Sequence, residues 1–199
     1  MSQPVPSPPA NPGIRFADPA PLGLAGFGIT TLALSIINAH WIPVSLTPIV
    51  FGLALAYGGI AQFAAGMWEF ARGNTFGALA FSSYGAFWLS YWWLTAHNAA
   101  SLPAADAHKG IGLYLAVWGL FTLYMSVAAS RVSVAVFVVL VLLTITYGFL
   151  SAGEFATSDT LSKIGGWVGI VTAAAALYAS FAGVTKFTHG RDLLPVGPR

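Results

Sequence analysis

Apolar residues run along this chain in long blocks, and charged residues are confined to the gaps between them. No Asp, Glu, Lys or Arg occurs between Asp18 and Glu69, nor over 73–105, 110–130, 132–153 or 164–185. A helix that crosses a bilayer needs about 20 apolar residues. The first block therefore holds two spans and each of the others one. Six transmembrane helices are predicted, over 21–40, 48–71, 76–97, 110–129, 132–152 and 164–187. The breaks carry turn and loop residues: Trp41, Pro43 and Pro48 after span one, the segment Arg72 to Thr75 after span two, then Pro103, Asp106, His108 and Lys109, and later Glu154, Asp159 and Lys163.

Within the spans, polar and small residues recur at spacings of three and four, which puts them on one helix face. Span one offers Gly23, Phe27, Thr30, Leu34 and Asn38; span two offers Gly59, Gln62, Gly66 and Glu69. Span three offers Ala80, Tyr84, Phe87 or Trp88, Tyr91 and Thr95, span four Gly112, Gly119, Thr122 and Ser126. Span five offers Ser133, Phe137, Leu140, Thr144, Tyr147 and Ser151, and span six Gly165, Gly169, Thr172 and Gly183. Each stripe taken alone is explained by close helix packing with hydroxyls as weak interhelical bonds. All six helices carrying one points instead to a bundle around a central polar pathway. The segment from Gly58 to Trp88 joins two such helices across a polar hinge. Glu69 and Arg72 stand one turn apart there, the spacing of an interfacial ion pair, with a proton-linked gate as the sharper alternative. Gln62, deeper in the span, is a candidate pathway residue.

Composition narrows the class further. Hydrophobic residues make up 57% of the 199 and charged residues 7%, against about a quarter charged in soluble domains. With both termini inside, the cytoplasmic segments hold Arg15, Arg72, Arg131, Lys186, Arg191 and Arg199, and the outer loops only Lys109 and Lys163. That bias gives an N-in, C-in orientation and explains the small net charge of +2 without nucleic acid. The absence of cysteine excludes disulfides and thiolate chemistry. Residues 1–19 read as a proline-rich, disordered cytoplasmic tail, 20–190 as the transmembrane domain and 191–199 as a second tail. Trp41, Trp68, Trp92, Trp93 and Trp167 sit near span ends as interfacial anchors.

No Lys, Arg, Asp or Glu falls at mid-membrane depth, which argues against ion pumps and voltage sensors. His40, His97 and His108 fall on the outer side and His189 inside; no metal site or cofactor is expected from them. No phosphate loop, zinc motif or nucleophile–base spacing appears, so an enzyme is disfavoured. With no buried cation, a small anion has to cross by hydrogen bonding to hydroxyls and amides or as its neutral acid. Both routes favour a compact, weakly bound solute.

Two signatures then carry a resemblance. Asp18, Pro19, Ala20, Pro21, Leu22, Gly23 and Leu24 precede Ala25-Gly-Phe-Gly28, and residues 58–88 contain Gly-Gly-Ile-Ala-Gln, Gly-Asn-Thr-Phe-Gly and Ser-Tyr-Gly-Ala-Phe-Trp. With the stretch from Tyr114 to Thr122, Gly165 to Gly169, and the Leu194 to Gly197 tail, the chain resembles the acetate uptake transporter family, the succinate–acetate permeases. The resemblance covers residues 18 to 197. It implies a urea-channel-like six-helix bundle, assembly as a homo-hexamer in the plasma or inner membrane with a pathway through each subunit, and proton-coupled uptake of acetate and sometimes succinate. It also implies a pathway constriction of a Phe, a Tyr and a Leu, here Phe27, Tyr84 and Leu140. The family's first signature residue is Asn, and Asp18 replaces it; an Asp still accepts backbone N–H bonds at a helix start but adds negative charge at the cytoplasmic mouth.

The expected function is therefore membrane transport of small monocarboxylates, with Thr30, Gln62, Thr122 and Thr144 as the substrate pathway. A passive channel for small neutral solutes such as urea or ammonia is the alternative. A non-transporting membrane sensor is the third hypothesis, disfavoured because the short loops leave no room for a soluble domain.

Overall fold

The computed structural model describes residues 16–197. The expectation for the tail over residues 1–15 lies outside them, as do residues 198–199. Among the described residues the chain is all helical. Helix α1 spans Ala20–Asn38, α2 Val50–Leu55, α3 Gln62–Ala71, α4 Thr75–Trp93, α5 Ala107–Ala129, α6 Val134–Phe155 and α7 Asp159–His189. A 3₁₀ turn over Val44–Ile49 leads into α2, and a π-helical stretch over Ala56–Ala61 joins α2 to α3, so one long segment results.

Five of these segments are long and apolar enough to cross a membrane: Ala20–Asn38, Val44–Ala71, Ala107–Ala129, Val134–Phe155 and Asp159–His189. The predicted third span, α4, is not among them. It is 19 residues long, but Ser82, Ser83, Tyr84, Ser90, Tyr91 and three tryptophans lower its hydropathy, and Tyr84, Phe87 and Trp88 are buried within the bundle. The last helix also starts earlier than the predicted 164, because Ser158 accepts from the Leu161 N–H as its N-cap. The predicted loop over 153–163 shrinks accordingly, and Glu154, Asp159 and Lys163 are all helical. At its other end α7 stops at Gly190, which adopts φ +66 in the left-handed region that glycine enters freely.

The helices form a closed bundle. α1 packs on α7, α7 on α6, α6 on α5, and the α2–α3 segment on α1 and α4. The α3–α4 hairpin is tight because glycine lets backbones approach: a methyl at Gly85 would sit 2.6 Å from the Phe63 nitrogen. Between α4 and α5 the backbones barely meet. Side chains bridge them instead, with the Phe87 ring stacked on Tyr114 at 5.8 Å and edge-on to Trp118 at 5.2 Å.

Polarity is inverted relative to a soluble domain. Thr30, Thr31, Ser35, Gln62, Glu69, Thr122, Thr146 and Thr172 are buried, while Leu113, Val117, Leu120, Tyr124 and Val127 of α5 form an exposed apolar stripe. Their spacing of three and four is that of one helix face. Trp41 and Trp167 meet edge to face at 4.9 Å and are exposed, as expected of interfacial rings. The end of the chain folds back: Val134 and Ala135 donate their N–H groups to the carbonyls of Gly197 and Val196, satisfying α6 donors that no helical turn can reach.

A candidate permeation pathway

The pathway is built from hydroxyls and rings that α1, α4 and α6 turn inward. Most of the hydroxyls are already engaged. Thr122, Thr144, Thr146 and Thr172 each donate to the carbonyl four residues earlier on their own helix, at 2.8 to 2.9 Å, the back-bonding that apolar surroundings favour for a threonine. Tyr84 then donates to the Thr122 hydroxyl at 3.0 Å. That bond fixes the tyrosine ring between α1 and α5.

Two cavities lie on the axis of the bundle. The larger, about 580 Å³, is lined by Thr31, Leu34, Asn38 and His40 of the α1 side, by Trp88 and Tyr91 of α4 and Thr95 just beyond it, and by Tyr114, Thr146, Tyr147 and Glu154. The smaller, about 100 Å³, is lined by Ala20 and Leu24, by Gln62 and Glu69 of α3, by Asn74, and by Phe81, Tyr84, Val136 and Leu140. Phe27 and Leu143 line both. The two volumes therefore meet at an apolar neck, where the Phe27 and Tyr84 rings lie 5.9 Å apart. The larger cavity opens among the loops on the predicted outer side, the smaller beside the α3–α4 turn on the predicted inner side.

The structure brings Phe27, Tyr84, Leu140 and Gln62 together around this neck and the smaller cavity. All four are buried, Gln62 with 1% exposure. It does not bring the three threonines there. Thr30 packs against the α2–α3 segment, with its hydroxyl 3.5 Å from the Leu53 carbonyl. Thr122 sits behind Tyr84, and Thr144 is half-buried with its hydroxyl turned to Leu140. None of the three lines either cavity. Thr31 and Leu143 occupy the places instead. Both stand four or three residues from an anticipated wall residue (Phe27 and Leu140), so the same periodicity contained them. Thr146 was also missed, whereas Trp88 lies on the face that the spacing of span three offers.

The expected Glu69–Arg72 pair does not form. Arg72 reaches Asp18 instead, at 2.5 Å, and Glu69 turns inward to 1% exposure, where its Oε2 accepts from the Asn74 amide at 2.9 Å. One turn of helix places the two side chains on the same face but does not oblige them to meet, and Asp18 gives Arg72 a partner at the rim without burying charge. The negative charge that Asp18 adds to the mouth is thus paired with Arg72. Asp18 also accepts from the Ala20 N–H at 3.2 Å. The rest of the signature serves packing: the Pro21 carbonyl accepts from Ser180 of α7 at 2.7 Å, and Gly23 lies against the Phe81 ring.

Among the described residues five buried side-chain atoms have no hydrogen-bond partner: Thr31 Oγ1, Gln62 Oε1, Glu69 Oε1, Ser82 Oγ and Trp88 Nε1. Four of them belong to cavity-lining residues. Thr31 and Trp88 line the larger cavity, and Gln62 and Glu69 the smaller. No cluster of metal-ligating residues occurs among the described residues.

Residues 2–191 match the model of the GPR1/FUN34/yaaH family. The succinate-acetate/proton symporter SatP of Escherichia coli is 37% identical over 183 residues, covering 92% of this chain and 96% of that one. Ammonia transport outward protein 2 of Saccharomyces cerevisiae is 37% identical over 185 residues, covering 87% of this chain and 66% of that protein. The solved structure of the bacterial acetate channel SatP superposes with a TM-score of 0.86 at 37% identity, over 92% of this chain and all of that one. These relatives are transporters and channels, not enzymes. By the extent of the family match, and by an apolar helical bundle that spans a membrane several times, this chain belongs to the GPR1/FUN34/yaaH family.

Proposed function

We propose that this chain carries small monocarboxylates, acetate first and succinate less readily, across the plasma or inner membrane together with a proton. The observation that carries the reading is the neck between the two cavities. Phe27, Leu140 and Leu143 offer no charge and no hydrogen bond there, and the Tyr84 hydroxyl is held by Thr122. A carboxylate stripped of water in such a neck lacks the partners that burial of a charge demands. The neutral acid has a far smaller penalty and brings its own proton.

The substrate pathway then runs from the larger cavity, past Phe27, Tyr84 and Leu140, to Gln62. Thr30, Thr122 and Thr144 act at one remove, by holding the walls of that pathway. Six spans with both termini in the cytoplasm, and a homo-hexamer with one urea-channel-like pathway per subunit, complete the reading. The exposed α5 stripe gives such an assembly an apolar face to bury. The experiment is uptake of radiolabelled acetate into proteoliposomes at two pH values, competed with succinate, lactate and urea. Acetate uptake that rises as the outer pH falls, and that lactate competes for, is the expected result; no uptake above protein-free vesicles overturns it.

One observation favours a second reading. An uncharged neck also suits small neutral solutes, and the yeast relative named for ammonia transport shares 37% of its aligned residues. Urea or ammonia flux that does not saturate and moves no proton would identify that passive channel.

A further inference from the structure

Among the described carboxylates that line the two cavities, Glu69, Glu154 and Asp159, Glu69 alone is buried, and the mechanism above does not use it. Its environment is specific. Oε2 accepts from Asn74 Nδ2 at 2.9 Å, and the Asn74 Oδ1 accepts in turn from the Gly77 N–H at 3.1 Å as the cap of α4. Gly77 is cut to fit: a Cβ there would lie 2.8 Å from the Glu69 carboxyl carbon. The side chain is thereby fixed with Oε1 buried, unpartnered, in the wall of the inner cavity. Two turns away on the same face of α3, the Gln62 Oε1 is likewise buried and unpartnered. A buried acceptor left without a donor is costly, and here two of them line one cavity of about 100 Å³.

The other charged and titratable groups around Glu69 leave it unpaired. Asp18 at the start of α1 and Arg72 in the turn hold each other. From α4 the cavity receives Tyr84, whose hydroxyl is taken by Thr122. From α6 and the turn before it come Val132, Val136, Val139, Leu140 and Leu143, all apolar. Among the described residues no cationic side chain lines the cavity, so a solute carrying a hydrogen-bond donor is the kind of partner these two oxygens lack.

We infer that Glu69 is the proton acceptor of this carrier, the group to which a carboxylic acid arriving through the neck gives up its proton. This rests on the proposed passage of the neutral acid. The acid first donates its O–H to the Gln62 Oε1, which can hold the proton but not take it. It then moves about 10 Å down the helix and donates to the Glu69 Oε1. The O–H bond of the acid breaks and an O–H bond forms on Glu69, leaving acetate and a neutral glutamic acid. Acetate leaves by the inner mouth as the anion, and the Glu69 proton follows into cytoplasmic water. One proton enters with each acetate, and the carboxylate is restored.

The test uses the full chain in proteoliposomes, with radiolabelled acetate uptake measured across a pH series for the wild type, Glu69→Gln and Glu69→Asp. Glutamine keeps the shape and the contact with Asn74 but cannot accept a proton. Loss of a positioned proton acceptor is expected to slow uptake on the order of a hundredfold and to flatten its pH dependence. Aspartate keeps a titrating carboxyl, so a slower rate with a displaced but persistent pH profile is expected. Thermal melting of the purified variants separates misfolding from loss of transport; if the glutamine variant does not fold, the aspartate profile decides, and an undisplaced profile overturns the inference. Wild-type uptake with an unchanged pH profile in Glu69→Gln also overturns it. A wild type that moves no acetate at all contradicts the acetate reading instead.

Discussion

The two cavities differ in more than size. The outer one, at about 580 Å³, is walled by aromatic rings and presents unpartnered donors, the Thr31 O–H and the Trp88 N–H. The inner one, at about 100 Å³, is walled by aliphatic side chains together with Phe27, Phe76, Phe81 and Tyr84, and its unpartnered atoms are acceptors, on Gln62 and Glu69. Donors suit a carboxylate and acceptors suit its protonated acid. On the reading proposed above, opposite hydrogen-bonding character on either side of an uncharged neck changes the solute's protonation state as it passes. Neither half would do this alone.

The comparison is broken most completely by forcing the helices apart. Gly85→Val places side-chain atoms against the Phe63 backbone, and overpacking of this kind costs about 1–3 kcal/mol or more. Both cavities should deform together, with a lower melting temperature and no acetate uptake in reconstituted vesicles. Widening only the neck is the next largest change. Leu140→Ala removes a buried side chain that lines the inner cavity beside Tyr84. Discrimination against larger acids such as lactate should fall on the order of tenfold, read as the ratio of competing uptakes, while acetate uptake persists. An unchanged ratio removes Leu140 from the constriction.

Smaller effects sharpen the contrast of donors and acceptors. Trp88→Phe keeps the ring and deletes the N–H, and loss of one neutral hydrogen bond of about 1 kcal/mol should raise the half-saturating acetate concentration roughly fivefold. The pH dependence should stay, because that belongs to the inner cavity. Smallest of all is Asp18→Asn. The Asp18–Arg72 pair is 56% and 35% exposed at its side chains, and exposed pairs contribute about 0–1 kcal/mol. A change in melting temperature of no more than a few degrees and near-normal uptake are expected.

Most of the architecture was legible as hydropathy, because lipid enforces a simple code: long apolar blocks, charges at their ends, and small residues where helices meet. Phe27 and Tyr84, which the motif resemblance names as constriction residues, both line the smaller cavity. Three features escaped for definite physical reasons. Helix α4 buries its polar and aromatic residues against its neighbours, so its hydropathy understates its place in the bundle. Arg72 found its partner 54 residues away in sequence, which no i, i+3 rule anticipates. Periodicity also names a face without saying whether a hydroxyl on it is free. Thr122 and Thr144 share the pathway's side of their helices, yet their own carbonyls claim them. The start of α7 was legible after all, since Ser158 followed by Asp159 is a helix-start signal.

In the proposed transport cycle it is the neutral acid that crosses the neck. The most direct test follows acetate and protons together, with radiolabelled acetate and a pH-sensitive dye trapped in the same proteoliposomes and protein-free vesicles as the baseline. One proton should enter with each acetate above that baseline, and an imposed membrane potential should leave the rate unchanged. Acetate entry that responds to the potential and brings no proton would mean that the anion itself passes Phe27 and Tyr84, and would contradict the account.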